Sequence, residues 1–125
     1  MFETKNFMTT NVVFVKRHTP INTVLKIMME SDITGLPVVN DDMTLVGIIS
    51  EKDLLRLSSC SEDDPAKVED FMTENVVSFE QEEDFVTICE CLLQNNFRRV
   101  PITADGKLVG IVSRKDIIKY ILKPL

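Results

Sequence analysis

Apolar residues recur with the period of an α-helix in two segments of the chain. In the first segment the pattern i, i+3, i+4, i+7 is formed by Ile21, Val24, Leu25 and Met28. In the second it is formed by Phe85, Ile88, Cys89 and Leu92. This spacing puts side chains on one face of a helix, so both segments predict amphipathic helices that pack against a core. Thr19 and Pro20 precede the first pattern and suit an N-cap and a first turn.

Short apolar runs bounded by turn residues follow each predicted helix. The runs LPVV (36–39) and VPIT (100–103) predict strands, and NDD and ADG behind them predict hairpin turns. The second arms, LVGIIS (45–50) and LVGIVS (108–113), are apolar at consecutive positions, which is typical of strands covered on both faces. A closing helix is predicted behind each hairpin, with apolar residues Leu54, Leu55 and Leu57 in one and Ile117, Ile118, Ile121 and Leu122 in the other.

The two sets of elements are copies of one unit. FMTTNVV (7–13) and FMTENVV (71–77) agree at six of seven positions, and sixteen identities join positions 7–57 to the second copy. Each half reads strand, helix, strand, strand, helix, with an extended NVVFV or NVVSF at its start. About 60 residues is marginal for an independent core. We therefore expect an α+β fold in which two βαββα repeats pack through their sheets with pseudo-twofold symmetry.

The expected boundaries place the first repeat at 1–60, an acidic linker at 61–70 and the second repeat at 71–125. Residues 58–84 carry ten Asp and Glu against one Lys, whereas residues 85–125 carry seven Lys and Arg against three acids. We interpret the acidic run as a solvated connector. The cleft between paired repeats is the expected ligand site.

Composition narrows the classes of partner. The net charge of −6 argues against nucleic acid, which needs a basic face. Three cysteines, Cys60, Cys89 and Cys91, and the single His18 match neither a disulfide framework nor a metal site. No apolar run is long enough to span a membrane and no signal-peptide pattern opens the chain, so a cytoplasmic location is the default expectation.

Two Ser-x-x-Asp pairs stand where a predicted strand meets a predicted helix: Ser50 with Asp53, and Ser113 with Asp116. One interpretation is a capping box, in which serine and acid satisfy free backbone amides of the helix. The other is a ligand site, because a helix N-terminus receives phosphate or hydroxyl groups and a carboxylate there could accept both hydroxyls of a ribose. On these residues alone capping is favoured, and both interpretations stay open.

Glycines and arginines near these pairs bear on the choice. Gly47 and Gly110 lie inside the predicted strands and could permit close backbone approach. Arg98 and Arg99 stand just before the strand that begins near Val100, where the first copy has Thr34 and Gly35. Adjacent arginines are often only solvated charge, but a pair at this place also suits bidentate binding of a phosphate.

The chain resembles a tandem pair of CBS domains, the cystathionine-beta-synthase type of repeat. The resemblance runs from about Phe7 to Leu122 and is carried by the FMT motifs, by GLPVV and RVPIT, and by LVGIISEKDLL and LVGIVSRKDII. It implies a module that regulates rather than catalyses, that often dimerises, and that binds AMP, ADP, ATP or S-adenosylmethionine. No resident cofactor, nucleic acid or membrane is implied, whereas an effector domain or partner protein is.

The resemblance also implies two composite clefts and their residues. One would combine Ser50 and Asp53 with Arg98, Arg99 and Val100, with Asp53 on the ribose and Arg99 on the phosphate. The other would combine Ser113 and Asp116 with Thr19, Gly35 and Leu36, where the small residue leaves room for adenine.

The second repeat departs from this pattern. It has Glu83 and Asp84 in place of Thr19 and Pro20, after Glu80 and Glu82, and these acids would crowd a phosphate if they lined the cleft. The alternative is a ligand-free structural or dimerisation module whose Ser-x-x-Asp pairs are helix caps only. An enzyme has little support, because the sequence shows no nucleophile with a base, no glycine-rich phosphate loop and no metal-ligand spacing.

Overall fold

The computed structural model describes residues 3–56, 66–95 and 97–122. The chain divides into two compact units, and the first comprises residues 13–76. Its strands are β1 (Val15–Lys16), β2 (Gly35–Val39) and β3 (Leu45–Ser50), and its helices are α1 (Ile21–Ser31) and α2 (Glu51–Leu54). β1 runs parallel to β2, and β2 pairs antiparallel with β3. A hairpin and one parallel strand thus form a three-stranded sheet.

The second unit joins residues 1–12 to residues 77–125. Its strands are β4 (Phe79–Glu80), β5 (Arg99–Ala104) and β6 (Lys107–Ser113), and its helices are α3 (Phe85–Asn95) and α4 (Arg114–Leu122). The sheet has the order β4-β5-β6 with the same parallel and antiparallel pairings. The α+β class with two three-stranded sheets is confirmed, whereas the packing of the repeats through those sheets stays a prediction.

The two hairpins match in detail. The register shifts between Val38 and Val39 in the first sheet and between Ile102 and Thr103 in the second, which are equivalent positions of the two copies. Buried and half-buried residues alternate from Val46 to Ser50 in β3 and from Leu108 to Ser113 in β6. Both second arms are therefore covered on two faces to different degrees, in line with their continuous apolar sequence.

The compact units are not the sequence repeats. The N-terminal segment (residues 3–12) lies with the second sheet, where Thr9 forms a bridge to Ile111 of β6. The middle segment (residues 66–76) lies with the first sheet, where Thr73 forms a bridge to Ile48 of β3. Each sheet is thus extended by the segment that opens the other copy in sequence. The repeat boundaries stay predictions, and part of the expected linker, with Leu57 and Cys60, lies outside the described residues.

Two groups of apolar side chains form the cores. The first unit buries Val24, Leu36, Val38, Ile49, Leu54 and Val68 among others, and the second buries Phe85, Ile88, Leu92, Val100, Ile102 and Val112. The predicted faces of α1 and α3 are largely confirmed, because Ile21, Val24, Phe85, Ile88 and Leu92 are buried. No helix in the described part of the chain is long and apolar enough to cross a membrane.

Two local expectations are corrected. Thr19 is not the N-cap of α1: Pro20 holds that position, and the Thr19 hydroxyl instead accepts a hydrogen bond from the Lys16 amide at 3.0 Å, which closes a turn. Leu25 and Leu55 are exposed, because α1 turns only a narrow strip toward the sheet and α2 ends at Leu54. Three apolar residues of α4 are exposed in the same way: Ile118, Ile121 and Leu122.

Candidate functional site

The first junction lies where β3 ends and α2 begins. The Ser50 amide donates to Asp53 Oδ2 at 2.9 Å, and the Ser50 hydroxyl donates to the same oxygen at 3.0 Å. The Asp53 amide donates back to Ser50 Oγ at 3.4 Å, which completes a capping box. Asp is shorter than the usual Glu, and the extended backbone of Ser50 brings the two side chains into reach. The capping interpretation of this pair is therefore correct.

The second junction lies where β6 ends and α4 begins. The Ser113 amide donates to Asp116 Oδ2 at 2.8 Å, and the Ser113 hydroxyl donates to it at 3.2 Å. Asp116 is only 2% exposed, whereas Asp53 is half-buried. The two junctions thus share one arrangement, in which a single carboxylate oxygen serves the preceding serine.

A threonine binds the other oxygen of each carboxylate. The Thr9 hydroxyl donates to Asp116 Oδ1 at 3.0 Å, and the Thr73 hydroxyl donates to Asp53 Oδ1 at 3.3 Å. Sequence reasoning used these threonines only as evidence of duplication. The sequence signal that could have indicated their role is the Met-Thr pair near the start of both copies, because a polar threonine there is not needed to form an apolar core.

The hydrogen bonds leave limited room on each carboxylate. A carboxylate has about four acceptor positions, and in each junction three donors are already bound, two to Oδ2 and one to Oδ1. One position therefore remains on Oδ1. That position can accept one further hydroxyl donor, whereas a second hydroxyl would displace a present donor.

Gly35 and Leu36 lie beside the first junction, because Gly35 pairs with Ser50 and Leu36 with Ile49 across the hairpin. A Cβ atom added at Gly35 would meet no atom of the described residues closer than 3.7 Å, and the backbone of Gly35 is not in the left-handed region. Gly106, in contrast, has a φ of +81° in the second hairpin turn. Among the described residues, neither a close contact nor the backbone conformation requires glycine at position 35.

Gly47 and Gly110 have a structural explanation. A Cβ atom at Gly47 would come within 2.9 Å of both Met72 Sδ and the Thr73 carbonyl oxygen. At Gly110 it would collide with Met8 Sδ and reach the Thr9 carbonyl oxygen at 3.0 Å. The close approach expected at these glycines is therefore made by the chain's own Met-Thr segments.

Arg98, Arg99 and Val100 lie at the start of β5, and the structure places Arg99 opposite Ser113. Val100 is buried, Arg98 is exposed and Arg99 is half-buried. Burial, and next the neighbouring charge of Arg98, lower the pKa of the Arg99 guanidinium. Both causes disfavour positive charge at Arg99, so an anion bound there would be favoured electrostatically.

The acids of the second repeat bind backbone amides around them. The Glu80 carboxylate accepts from the amides of Asp105 and Gly106 at 3.1 and 3.3 Å in the hairpin turn. The Glu83 carboxylate accepts from the Asp84 amide at 3.0 Å. These contacts give both carboxylates a structural role within their own unit. Glu82 and Asp84 are exposed.

Each junction thus contains a carboxylate that accepts hydrogen bonds from three donors of the chain and has one acceptor position left. A profile of the CBS domain family matches residues 5–60 and 68–123, so the chain belongs to the CBS domain family and carries a tandem pair of these domains.

Similar proteins include the chloroplastic CBS domain-containing protein CBSX2 of Arabidopsis thaliana, which is 32% identical over 149 residues, covering 94% of this chain and 63% of the relative. The uncharacterised protein MJ1225 of Methanocaldococcus jannaschii is 28% identical over 117 residues, covering 94% of this chain and 42% of the relative. The chain therefore spans about half the length of these relatives.

Solved structures agree with the family assignment. The crystal structure of CBSX2 in complex with AMP superposes with a TM-score of 0.88 at 33% identity and covers 98% of both chains. The CBS domain pair of protein MJ0100, in complex with 5′-methylthioadenosine and S-adenosyl-L-methionine, gives a TM-score of 0.78 at 25% identity and covers 95% of this chain and 94% of that one.

Proposed function

We propose that this protein is a regulatory module that binds an adenosine-containing ligand of the class AMP, ADP, ATP or S-adenosylmethionine. The observation that carries the proposal is the repeated carboxylate. Asp53 and Asp116 stand at equivalent junctions, each with one acceptor position left on Oδ1. A ribose hydroxyl is a suitable donor for that position. The crystallised complexes of CBSX2 with AMP and of MJ0100 with adenosyl compounds support the same ligand class.

The site residues take roles that match their surroundings. Asp53 and Asp116 accept hydrogen bonds from ribose hydroxyls. Arg99 binds the phosphate, whose negative charge offsets the effects of burial and of Arg98 on the guanidinium. Gly35 leaves room for the adenine ring. The remaining proposed site residues are Thr19, Leu36, Ser50, Arg98, Val100 and Ser113. The combination of residues from both repeats into composite clefts stays a prediction.

The groups beside each Asp support the proposal of a regulatory rather than a catalytic role. Serine and threonine hydroxyls and a backbone amide surround the carboxylates. These groups bind a sugar but do not form a nucleophile with an adjacent base. We further propose that the module acts in the cytoplasm and passes its ligand state to an effector domain or partner protein.

The test is titration of the purified chain with AMP, ATP, S-adenosylmethionine and adenosine, by calorimetry and by thermal unfolding. At ligand about 100-fold above the dissociation constant, roughly 2.7 kcal/mol of stabilisation is expected. Asp53→Asn and Asp116→Asn each keep an acceptor oxygen for the serine amide, so we expect folding to survive while binding weakens. No stabilisation by any adenosine compound at millimolar concentration would contradict the proposal.

The same titrations test the phosphate role of Arg99. In the wild type AMP should bind more tightly than adenosine, and Arg99→Gln should reduce that preference by about tenfold, the loss of a charge-assisted contact. Lys107→Gln, at the exposed start of β6, is the matched control and should keep the preference.

A ligand-free dimerisation module is the second candidate, because large apolar side chains are exposed at equivalent helix positions. Met29 of α1 is 84% exposed, and Leu93 of α3, its counterpart in the second copy, is 79% exposed. We propose that these faces pair in a homodimer. If the wild type binds no adenosine compound, dimerisation alone remains as the function. If both Asp→Asn variants bind as the wild type does, the two carboxylates are helix caps only and the ligand is recognised by other residues.

A further inference from the structure

Thr9 and Thr73 occupy matched positions beside the two carboxylates, and their backbones are fixed. Thr9 exchanges two hydrogen bonds with Ile111 of β6, both at 2.9 Å. Thr73 exchanges two with Ile48 of β3, at 2.8 and 2.9 Å. Ile111 and Ile48 each lie two residues before the capping serine and five before the Asp. The strand that leads into the helix of each Asp therefore also holds the backbone of its threonine.

The threonine bond completes the fixation of the carboxylate plane. The χ2 torsion of Asp is broad when nothing restrains it. In each junction the serine restrains Oδ2 and the threonine restrains Oδ1. Loss of the threonine hydroxyl would leave Oδ1 free to turn about Oδ2, and the direction of its last acceptor position would no longer be defined.

We propose that Thr9 and Thr73 are positioning residues for sugar recognition: each hydroxyl holds Oδ1 of its Asp so that the remaining acceptor position of that oxygen meets a ribose hydroxyl. This inference rests on the proposed function and adds to it a determinant of ribose selectivity. Fixing a recognition group before the ligand arrives reduces the ordering cost of binding.

The two threonines differ in how strongly they restrain their carboxylates. Asp116 is buried and accepts a partly buried hydrogen bond of 3.0 Å from Thr9, whereas Asp53 is half-buried and accepts an exposed hydrogen bond of 3.3 Å from Thr73. Water competes more effectively for the exposed bond, so Thr9 restrains its carboxylate more than Thr73 does.

The test compares a ligand that has the ribose hydroxyls with one that lacks them. AMP and 2′,3′-dideoxy-AMP are titrated into the wild type and into Thr9→Val and Thr73→Val. Thr9→Val is combined with Asp53→Asn, and Thr73→Val is combined with Asp116→Asn. Each double variant therefore reports ligand binding at only one carboxylate. We expect Thr9→Val to reduce the preference for AMP over the dideoxy analogue by about tenfold, the cost of one misaligned bond to a charged acceptor.

Conservative and neighbouring variants control for indirect effects. Thr9→Ser retains the hydroxyl and should restore the preference. Thr10→Val makes the same chemical change one residue further along, at an exposed side chain that makes no hydrogen bond among the described residues, and should leave the preference unchanged. Should Thr9→Val not fold, Thr73→Val beside the half-buried Asp53 provides the same measurement with a smaller expected change.

The outcomes separate the two proposals. If the wild type binds AMP and the valine variants weaken AMP and dideoxy-AMP by the same factor, the threonines are structural only and the positioning role is overturned. If the wild type binds no adenosine compound, the proposed function itself fails and the positioning role falls with it.

Discussion

Each junction aspartate satisfies two neighbours at once. Its Oδ2 binds the amide and hydroxyl of the preceding serine, and its Oδ1 binds a threonine hydroxyl. A buried polar group destabilises the fold unless hydrogen bonds replace the lost water. Asp116, at 2% exposure, meets this requirement with three donors from the chain. Capping and recognition are therefore compatible uses of one side chain, because capping occupies mainly one of its two oxygens.

Two glycines in the same sheet should respond oppositely to alanine. Gly47→Ala places a Cβ within 2.9 Å of the Thr73 carbonyl oxygen, which is backbone and cannot move aside cheaply. We expect it to lower the free energy of unfolding by about 1 to 3 kcal/mol, the usual cost of overpacking. Gly35→Ala, with no neighbour closer than 3.7 Å, should change it by less than about 0.5 kcal/mol.

Urea denaturation measures the free energy of unfolding of both glycine variants. Ligand titration then tests whether Gly35 belongs to the binding site. If Gly35 borders the adenine ring as proposed, Gly35→Ala should weaken binding of adenosine compounds despite its unchanged stability, because the added methyl group would narrow that space. A Gly35→Ala protein that binds as the wild type does would remove Gly35 from the site.

Among the elements, the segments that open each copy are the least regular and hold much of the structure together. The N-terminal segment places Phe7 against Phe85 and Tyr120, with ring centroids 4.8 and 4.9 Å apart. The middle segment buries Phe71, and the Arg56 guanidinium lies 5.5 Å from the centre of its ring. Phe7 and Phe71 thus occupy equivalent positions and anchor equivalent segments, but Phe7 packs against aromatic rings whereas Phe71 contacts an arginine.

Removing either phenylalanine should affect one unit only. Phe7→Ala should speed amide hydrogen exchange in β6 and α4, whereas Phe71→Ala should speed it in β3 and α2, because each segment bridges to one sheet. We expect each to cost about 2 to 4 kcal/mol of unfolding free energy. Each variant serves as the control for the other. Exchange that rises uniformly through both units in both variants would contradict this division.

At the scale of the whole molecule, apolar surface remains uncovered. Exposed apolar side chains recur on α1, α3 and α4, among them Met29, Leu93 and Ile121, and Leu55 directly after α2 is exposed as well. Single exposed apolar residues need no explanation, but their recurrence at equivalent positions of two copies indicates a surface that is used. Pairing with a second copy of the chain would bury it.

Charge introduced into this surface should therefore dissociate a homodimer. We expect the wild type to sediment with twice the mass of the chain, and Met29→Glu with Leu93→Glu to sediment as a monomer, because both exposed positions would place a carboxylate in an apolar contact. Gln94→Glu adds the same charge to α3 without removing an apolar group and is the control. A wild type that is monomeric at all concentrations would exclude the homodimer.

Much of the fold was predictable because its signals are local. The faces of α1 and α3, the two hairpins and the equivalence of the copies follow from spacing and repetition over short stretches. The exposure of Leu25 and Leu55 was not, because a helical period fixes which residues share a face but not how wide a strip the sheet covers.

The candidate site divides in the same way. Ser-x-x-Asp at a strand-to-helix junction is a four-residue signal, and the capping box at Ser50 confirms it. The threonine contacts were missed because they join residues far apart, Thr9 and Asp116 being separated by 107 positions. No spacing rule reaches over such a distance.

By itself the sequence determined the α+β class, the duplication and the two carboxylates, since periodicity, repetition and capping depend on neighbours along the chain. Only the tertiary structure decided that each opening segment lies on the sheet of the other copy. The same is true of the close approach of that segment to Gly47 or Gly110 and of the hydrogen bond from a threonine to each aspartate. Those contacts depend on which distant backbones approach closely enough to share hydrogen bonds, a property of the folded chain.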